Sequence, residues 1–145
     1  MTIHAAVLPS LRWYGRPMTT ASIQLPVLWG DLDALGHVNN ARFFTWFESA
    51  RIALFGRIGV LGSTAYGPIL ATTTCDFLVP VHFPATIEAR ATVTRVGESS
   101  ITMAYEVVVG TTLHARGTSV AVLVEYPSMK KVRVPDDIRT AILAA

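Results

Sequence analysis

Between Asp31 and Asn40 the chain gathers Asp31, Asp33, His37, Asn39 and Asn40 within ten residues. Two carboxylates, an imidazole and two amides so close together can move protons and hold a water. The residues that follow are strongly aromatic and apolar at helical spacing, so the cluster sits at the mouth of a helix. A helix start presents backbone N–H groups without intrahelical partners and a partial positive charge. Attack on a carbonyl needs a carboxylate that acts as nucleophile or activates water, with donors facing the developing oxyanion. Asp33 supplies the first, and backbone N–H groups around Asn40 and Ala41 the second. His37 is placed to orient the carboxylate, hold the water or hydrogen-bond the substrate carbonyl. Asn40 can position water through its amide.

Each of these residues also has a plainer role. Asp31 and Asp33 both suit a turn after a strand, and composition does not separate them. Asn39 and Asn40 both suit a helix N-cap. His37 fits a structural position, and Glu48 with Arg51 has the spacing of a helical ion pair. Other chemistries find less support. His4, His37, His82 and His114 are scattered without metal-ligand spacing, so no metal is expected. Gly56, Gly59 and Gly62 follow the helix instead of opening it, which is not the order of a phosphate-cradling loop. Cys75 lies mid-strand beside Asp76 and reads as a small buried apolar residue.

The elements that position the cluster follow from periodicity. Residues 23–29 read as a first strand, with Pro26 tolerable at an edge or bulge. A loop with Gly36 leads to a helix from Asn39 or Asn40 to about residue 57, with Phe43, Trp46, Phe47, Ala50, Ala53 and Leu54 on one face. Phe44 and Phe55 widen that stripe, so the helix is expected to be covered on more than one side. Strands are predicted at 69–79, 85–96, 101–109 and 113–126. In the second of these, Ile87, Ala89, Ala91 and Val93 alternate with Glu88, Arg90, Thr92 and Thr94, the period of a half-buried sheet. Gly97-Glu-Ser-Ser100 and Gly110-Thr-Thr112 are short enough for hairpin turns. Pro135-Asp136-Asp137 opens a short terminal helix. One apolar helix and one long antiparallel sheet must pack as two layers, an α+β fold with the sheet curved around the helix.

Composition sets the outer bounds. The chain has 145 residues, one domain's worth, with 51% hydrophobic and only 15% charged residues and a mean hydropathy of +0.43. No apolar run approaches the roughly 20 residues of a membrane span, so no membrane partner is expected. The surplus of apolar residues points to an oligomer interface. A net charge of +2, from 12 Lys and Arg against 10 Asp and Glu, is too balanced for a nucleic-acid binder with a broad basic face. The single basic cluster, Lys130, Lys131 and Arg133, reads either as a phosphate-binding patch or as a solvated loop. One cysteine excludes an intrachain disulfide and fits a reducing, cytoplasmic compartment. Residues 1–21 lack the pattern of a secretory signal and read as a flexible extension before a domain at 22–145.

The run Asp31-Leu-Asp-Ala-Leu-Gly-His-Val-Asn-Asn-Ala-Arg-Phe-Phe44, closing with Phe47-Glu-Ser-Ala-Arg51, resembles the signature of the 4-hydroxybenzoyl-CoA thioesterase-like hotdog proteins. The run from Cys75 to Pro84 resembles the strand segment that follows the helix in that family. The last strand, with its basic residues and Pro135, resembles the C-terminal end. The resemblance implies a five-stranded antiparallel sheet wrapped around one long helix. It also implies paired subunits, as a homodimer or homotetramer, with acyl-CoA bound at their interface. It makes the second aspartate of Asp-x-Asp, Asp33, the catalytic carboxylate and leaves Asp31 structural. The oxyanion donor falls near Asn40 as a backbone N–H. The expected activity is hydrolysis of an acyl-CoA thioester without metal or redox cofactor, CoA being part of the substrate, with Lys130, Lys131 and Arg133 against its phosphates. Acyl-ACP thioesterases share His-Val-Asn-Asn but carry Asn where this chain has Leu35. An acyl-ACP substrate and a non-catalytic acyl-binding module are the alternatives.

Overall fold

The computed structural model describes residues 18–144. Strands β1 (Thr20–Pro26), β2 (Tyr66–Phe77), β3 (Thr86–Val96), β4 (Ser100–Val109) and β5 (Thr112–Glu125) accompany a long helix α1 (Asn40–Ile58) and a short one, α2 (Asp136–Leu143). The strands form one antiparallel sheet in the order β1-β3-β4-β5-β2. Alternation decides which face is dry. Ile87, Ala89, Ala91 and Val93 of β3 and Ile101, Met103, Tyr105 and Val107 of β4 are buried against α1. On the outer face Arg90 holds Glu88 at 2.8 Å and Glu106 at 3.5 Å. This is the hotdog arrangement expected from the resemblance, and the predicted elements are all present within a few residues of their expected ends. Pro26 is tolerated because β1 is an edge strand.

The helix starts where Asn39 caps it, its side-chain oxygen accepting the Ala41 N–H at 2.9 Å. It stops at Gly59, whose φ of 82° is the left-handed turn that terminates helices. Phe43, Trp46, Phe47, Ala50, Leu54, Phe55 and Ile58 are buried, while Phe44 and Ile52 stay exposed. Phe47 stacks on Tyr105 with ring centroids 4.7 Å apart and an interplanar angle of 17°. Arg51 is buried too. Its guanidinium donates to the Tyr105 hydroxyl at 3.3 Å, and the expected pairing with Glu48 is a long 3.8 Å contact. The close approach of helix and sheet depends on Gly117 of β5. A Cβ built there would lie 2.5 Å from the Phe47 ring and 2.4 Å from the Thr74 carbonyl oxygen.

Two crossings set up the functional region. β1 and β2 occupy opposite edges of the sheet, so α1 spans its concave face between them. Residues 78–85 then return from the β2 edge to β3, beside β1. The return segment meets the loop before α1, with the Val27 N–H on Ala85 O at 2.8 Å and the Val38 N–H on Val81 O at 2.9 Å. At the opposite end of the sheet, Ile138 and Ile142 of α2 are buried. The Thr19 hydroxyl donates to Ile142 O at 2.8 Å, closing the C-terminal end of that helix.

The domain boundary moves accordingly. Sheet pairing begins at Thr20, and Thr19 is buried, so 18–21 belong to the domain and not to the extension. The first strand ends at Pro26, because Trp29–Asp31 forms a 3-10 turn. Of the proposed flexible extension, residues 1–17 lie outside the described residues.

Replacing Gly117 by Ala is expected to destabilise the fold by about 1–3 kcal/mol through overpacking. Urea denaturation checks this, and a midpoint equal to wild type would mean that Phe47 gives way at no cost. Cys75 pairs across the sheet with Gly117. Burial, with the Asp76 carboxylate adding to it, pushes its thiol up to about 12. At pH 8 the thiolate is then scarce, and the thiolate is the reactive form. The native protein should react far more slowly with an aromatic disulfide reagent than the urea-unfolded chain; equal rates would contradict this.

Candidate active site

The two aspartates that composition left equivalent stand in different surroundings. Asp31 is 4% exposed and both its carboxylate oxygens are committed. Oδ2 accepts the Leu28 N–H at 2.8 Å and Oδ1 accepts Arg42 Nε at 2.7 Å. Its carbonyl oxygen also receives the Asn39 N–H at 2.8 Å. Asp31 thus binds the end of β1 to the start of α1. Asp33 is half-buried and lies in a tight loop closed by its own N–H to His37 O at 2.9 Å and by the Gly36 N–H to its carbonyl at 3.1 Å. Gly36 has φ 78°, which a side chain would resist. Oδ1 of Asp33 accepts the Leu35 N–H at 2.9 Å. Oδ2 has no hydrogen bond among the described residues.

A similar accounting applies to the helix start, where four N–H groups lack intrahelical partners. The Asn39 N–H goes to Asp31 O, the Ala41 N–H to the Asn39 side chain, and the Arg42 N–H to Asn39 O at 2.9 Å. Only the Asn40 N–H has no partner among the described residues. Ala41, expected to share the donor role, has spent its N–H on the cap.

Asp33, His37 and Asn40 line one cavity of about 360 Å³ together with Phe43. Residues 77–81 form its other wall. The His37 ring packs edge-on against His82, centroids 5.0 Å apart. Next to them Trp29 and Phe83 make a second edge-on pair at 5.5 Å. Phe43 and Phe77, at 5.2 Å, close the cavity floor. Among the described residues no three His, Cys, Asp or Glu side chains are grouped to hold a metal ion. No described helix is long and apolar enough to cross a membrane.

The basic cluster is not brought to this cavity within one chain. Lys131 pairs with Val124 at the end of β5, which faces the start of β2. The cavity is at the other end of that ladder, about 30 Å away along the strands. Arg133 is already engaged, with Asp136 at 2.7 Å and Glu98 at 3.4 Å. That pairing raises the Arg133 guanidinium and lowers the Asp136 carboxyl, the hydrogen bond being the main cause. The sequence reading weighs His82 and His114 only as metal ligands and the run 75–84 only as part of the resemblance, and assigns none of them to the site. The signal for His82 is its place between Pro80 and Pro84 just after a strand, whereas His114 lies within β5 and carries no local signal.

Comparison with known proteins agrees with this architecture. The PA2801 protein of Pseudomonas aeruginosa is 33% identical, covering 84% of this chain and 97% of its own, with a TM-score of 0.77. A Thermus thermophilus thioesterase complexed with coenzyme A and zinc is 29% identical over 86% of this chain and 92% of its own, at a TM-score of 0.74. A 1,4-dihydroxy-2-naphthoyl-CoA thioesterase from Synechocystis shares the fold at 21% identity and a TM-score of 0.76, covering 86% of this chain and 96% of its own. The sequence profile of the thioesterase-like superfamily matches residues 27–142, from the end of β1 through α2, and the chain belongs to that superfamily.

Proposed function

We propose that the protein hydrolyses an acyl-CoA thioester to the free acid and CoA, with Asp33 as the carboxylate that acts on the carbonyl. The observation that carries this is that Asp33 and Asn40 line one cavity and that each keeps a group without a hydrogen bond among the described residues, Oδ2 on Asp33 and the N–H on Asn40. The thioester carbonyl oxygen lies toward the Asn40 N–H, where the helix dipole favours the developing negative charge. Asp33 either attacks the carbonyl carbon directly or takes a proton from the attacking water. In the first route the C–S bond breaks to leave an Asp33–acyl anhydride that water then cleaves. In the second the water oxygen adds directly and the C–S bond breaks. In both, water supplies the oxygen of the acid and the proton that ends on the CoA thiol. His37 borders the same space and orients the water or the carbonyl, and the Asn40 amide stands beside it. This chemistry calls for no metal or redox cofactor. A binding module would have no use for an open carboxylate beside an open oxyanion donor.

The same reading includes a second copy of the chain. β2 is an edge strand of 12 residues whose single charge, Asp76, is tied to Arg116 at 3.2 Å. Leu70 and Phe77 are exposed along it, and Val79 just beyond its end. Long apolar edges without free charges invite pairing. Antiparallel pairing of two β2 strands about a two-fold axis sets the Tyr66 end of one copy beside Phe77 of the other. Lys130 and Lys131 lie at the same end of the sheet as Tyr66, one strand in from the edge across β5, with the Glu125 N–H on Lys130 O at 2.9 Å. On this reading the long lysine side chains of one copy reach from that end toward the cavity of the other and meet the phosphates of CoA. Arg133, paired with Asp136, is left out of that role. The Thermus relative complexed with coenzyme A supports the choice of carrier.

Asp33→Asn should lower kcat for acyl-CoA esters by several orders of magnitude with the melting temperature intact. A panel of esters with a thiol reagent measures it, and an active Asp33→Asn protein would sink the assignment. The crossed arrangement is tested with hybrid dimers of Asp33→Asn and Lys130→Ala/Lys131→Ala chains. If the lysines serve the other copy, each hybrid keeps one complete site and shows wild-type KM at half the wild-type kcat. If they serve their own chain, the one site with Asp33 lacks its lysines and KM rises. An unchanged KM in the double-lysine homodimer would remove them from the site altogether.

A further inference from the structure

His114 takes no part in the chemistry above, yet it is 9% exposed and sits behind the wall of the same cavity. Along the β4–β5 ladder Val107 pairs with Ala115 and Val108 with Leu113, so His114 is the extra residue of a β-bulge. Bulges beside functional sites serve to re-aim a side chain. Here the ring turns toward the return segment, with Nδ1 3.0 Å from Val79 O and 3.1 Å from Pro80 O. Both neighbours are acceptors, so Nδ1 carries the proton and donates to the two carbonyls. The backbone of His114 faces the same residues, its carbonyl oxygen accepting the Leu78 N–H at 2.9 Å and the Val79 N–H at 3.1 Å. Pro80 has no N–H to offer a neighbouring strand, so the wall cannot be held there by a continued ladder.

We propose that His114 is a positioning residue: through Val79 and Pro80 it fixes the cavity wall opposite Asp33 and the Asn40 N–H, so that the thioester lies in line with both. The proposal rests on the reading of Asp33 and Asn40 given above. The wall is anchored at one end by His114 and at the other by the Val38 N–H on Val81 O. The second anchor belongs to the loop that carries Asp33. Replacing the ring leaves the His114 carbonyl on the Leu78 and Val79 N–H groups but frees Val79 O and Pro80 O, so the stretch around Pro80 shifts relative to that loop. Misplacement by an ångström acts on the transition state more than on binding, so kcat falls while KM changes little.

Asn and Gln separate positioning from bulk. The amide nitrogen of Asn can occupy the place of the His Nδ1, while that of Gln reaches past it. With the acyl-CoA ester that wild type turns over, His114→Gln and His114→Leu should each lose about tenfold or more in kcat. His114→Asn should stay within about threefold of wild type, and all should hold KM within about threefold. Melting temperatures are taken alongside, and a purely structural histidine would move only those. Equal kcat in the Asn and Gln variants overturns the proposal, whether both are active or both impaired, and the contrast holds even if the Leu variant does not fold. Wild type inactive on every ester would strike instead at the reading of Asp33, whereas active wild type with unaffected variants strikes at His114 alone.

Discussion

A single buried carboxylate organises the mouth of α1. Removing a charge from water costs several kcal/mol unless its lone pairs are satisfied, and Asp31 meets that demand with a backbone N–H and the Arg42 guanidinium. Those two partners come from opposite sides, one from the end of β1 and one from the first turn of the helix. Satisfying the charge therefore fixes the angle between strand and helix. Asp33, two residues on, inherits a defined place without being consumed in making it. The division of labour between two identical residue types is a matter of partners, and partners are what composition does not show.

Curvature is the second constraint. A sheet that must wrap a 19-residue helix cannot keep an unbroken ladder. Register shifts interrupt the pairing between Leu70 and Thr72, Val93 and Arg95, and Val107 and Val108. The first lies on the open edge and the last beside the cavity, so the devices that bend the sheet also shape its functional end. Gly117 belongs to the same economy. Its missing side chain lets Phe47 approach the sheet closely enough to stack on Tyr105.

Much of this was legible in the sequence, and the limits are physical. The period of 2 in β3 and β4 and the stripe from Phe43 to Leu54 report burial directly, so element types and order could be read. Ends were harder: β1 was placed three residues late at its start because Thr20 and Ser22 face outward and leave no apolar signal. Asn39 and Asn40 were indistinguishable as caps, since either amide could accept the Ala41 N–H until the backbone turned. The basic cluster was recognised as a cluster but not located, because the β2–β5 register that places it links residues about fifty apart. His114 was hidden for the same reason. Its partners lie thirty-five residues away in the chain, and a bulge leaves no mark in local periodicity.

Any helix offers unpaired N–H groups, and that alone does not make a site. Here the surrounding chain removes three of the four, through the Asp31 carbonyl, the Asn39 side chain and the Asn39 carbonyl. The remaining donor belongs to Asn40, a residue that lines the cavity with Phe43, Phe77 and Val81. Asn40 is exposed, so water serves this donor until a ligand group replaces it. Asp31 and Asn39 are fully committed to holding strand and helix together, whereas Asp33 closes its loop through its backbone and Oδ1 and keeps Oδ2 free, and Asn40 keeps its N–H.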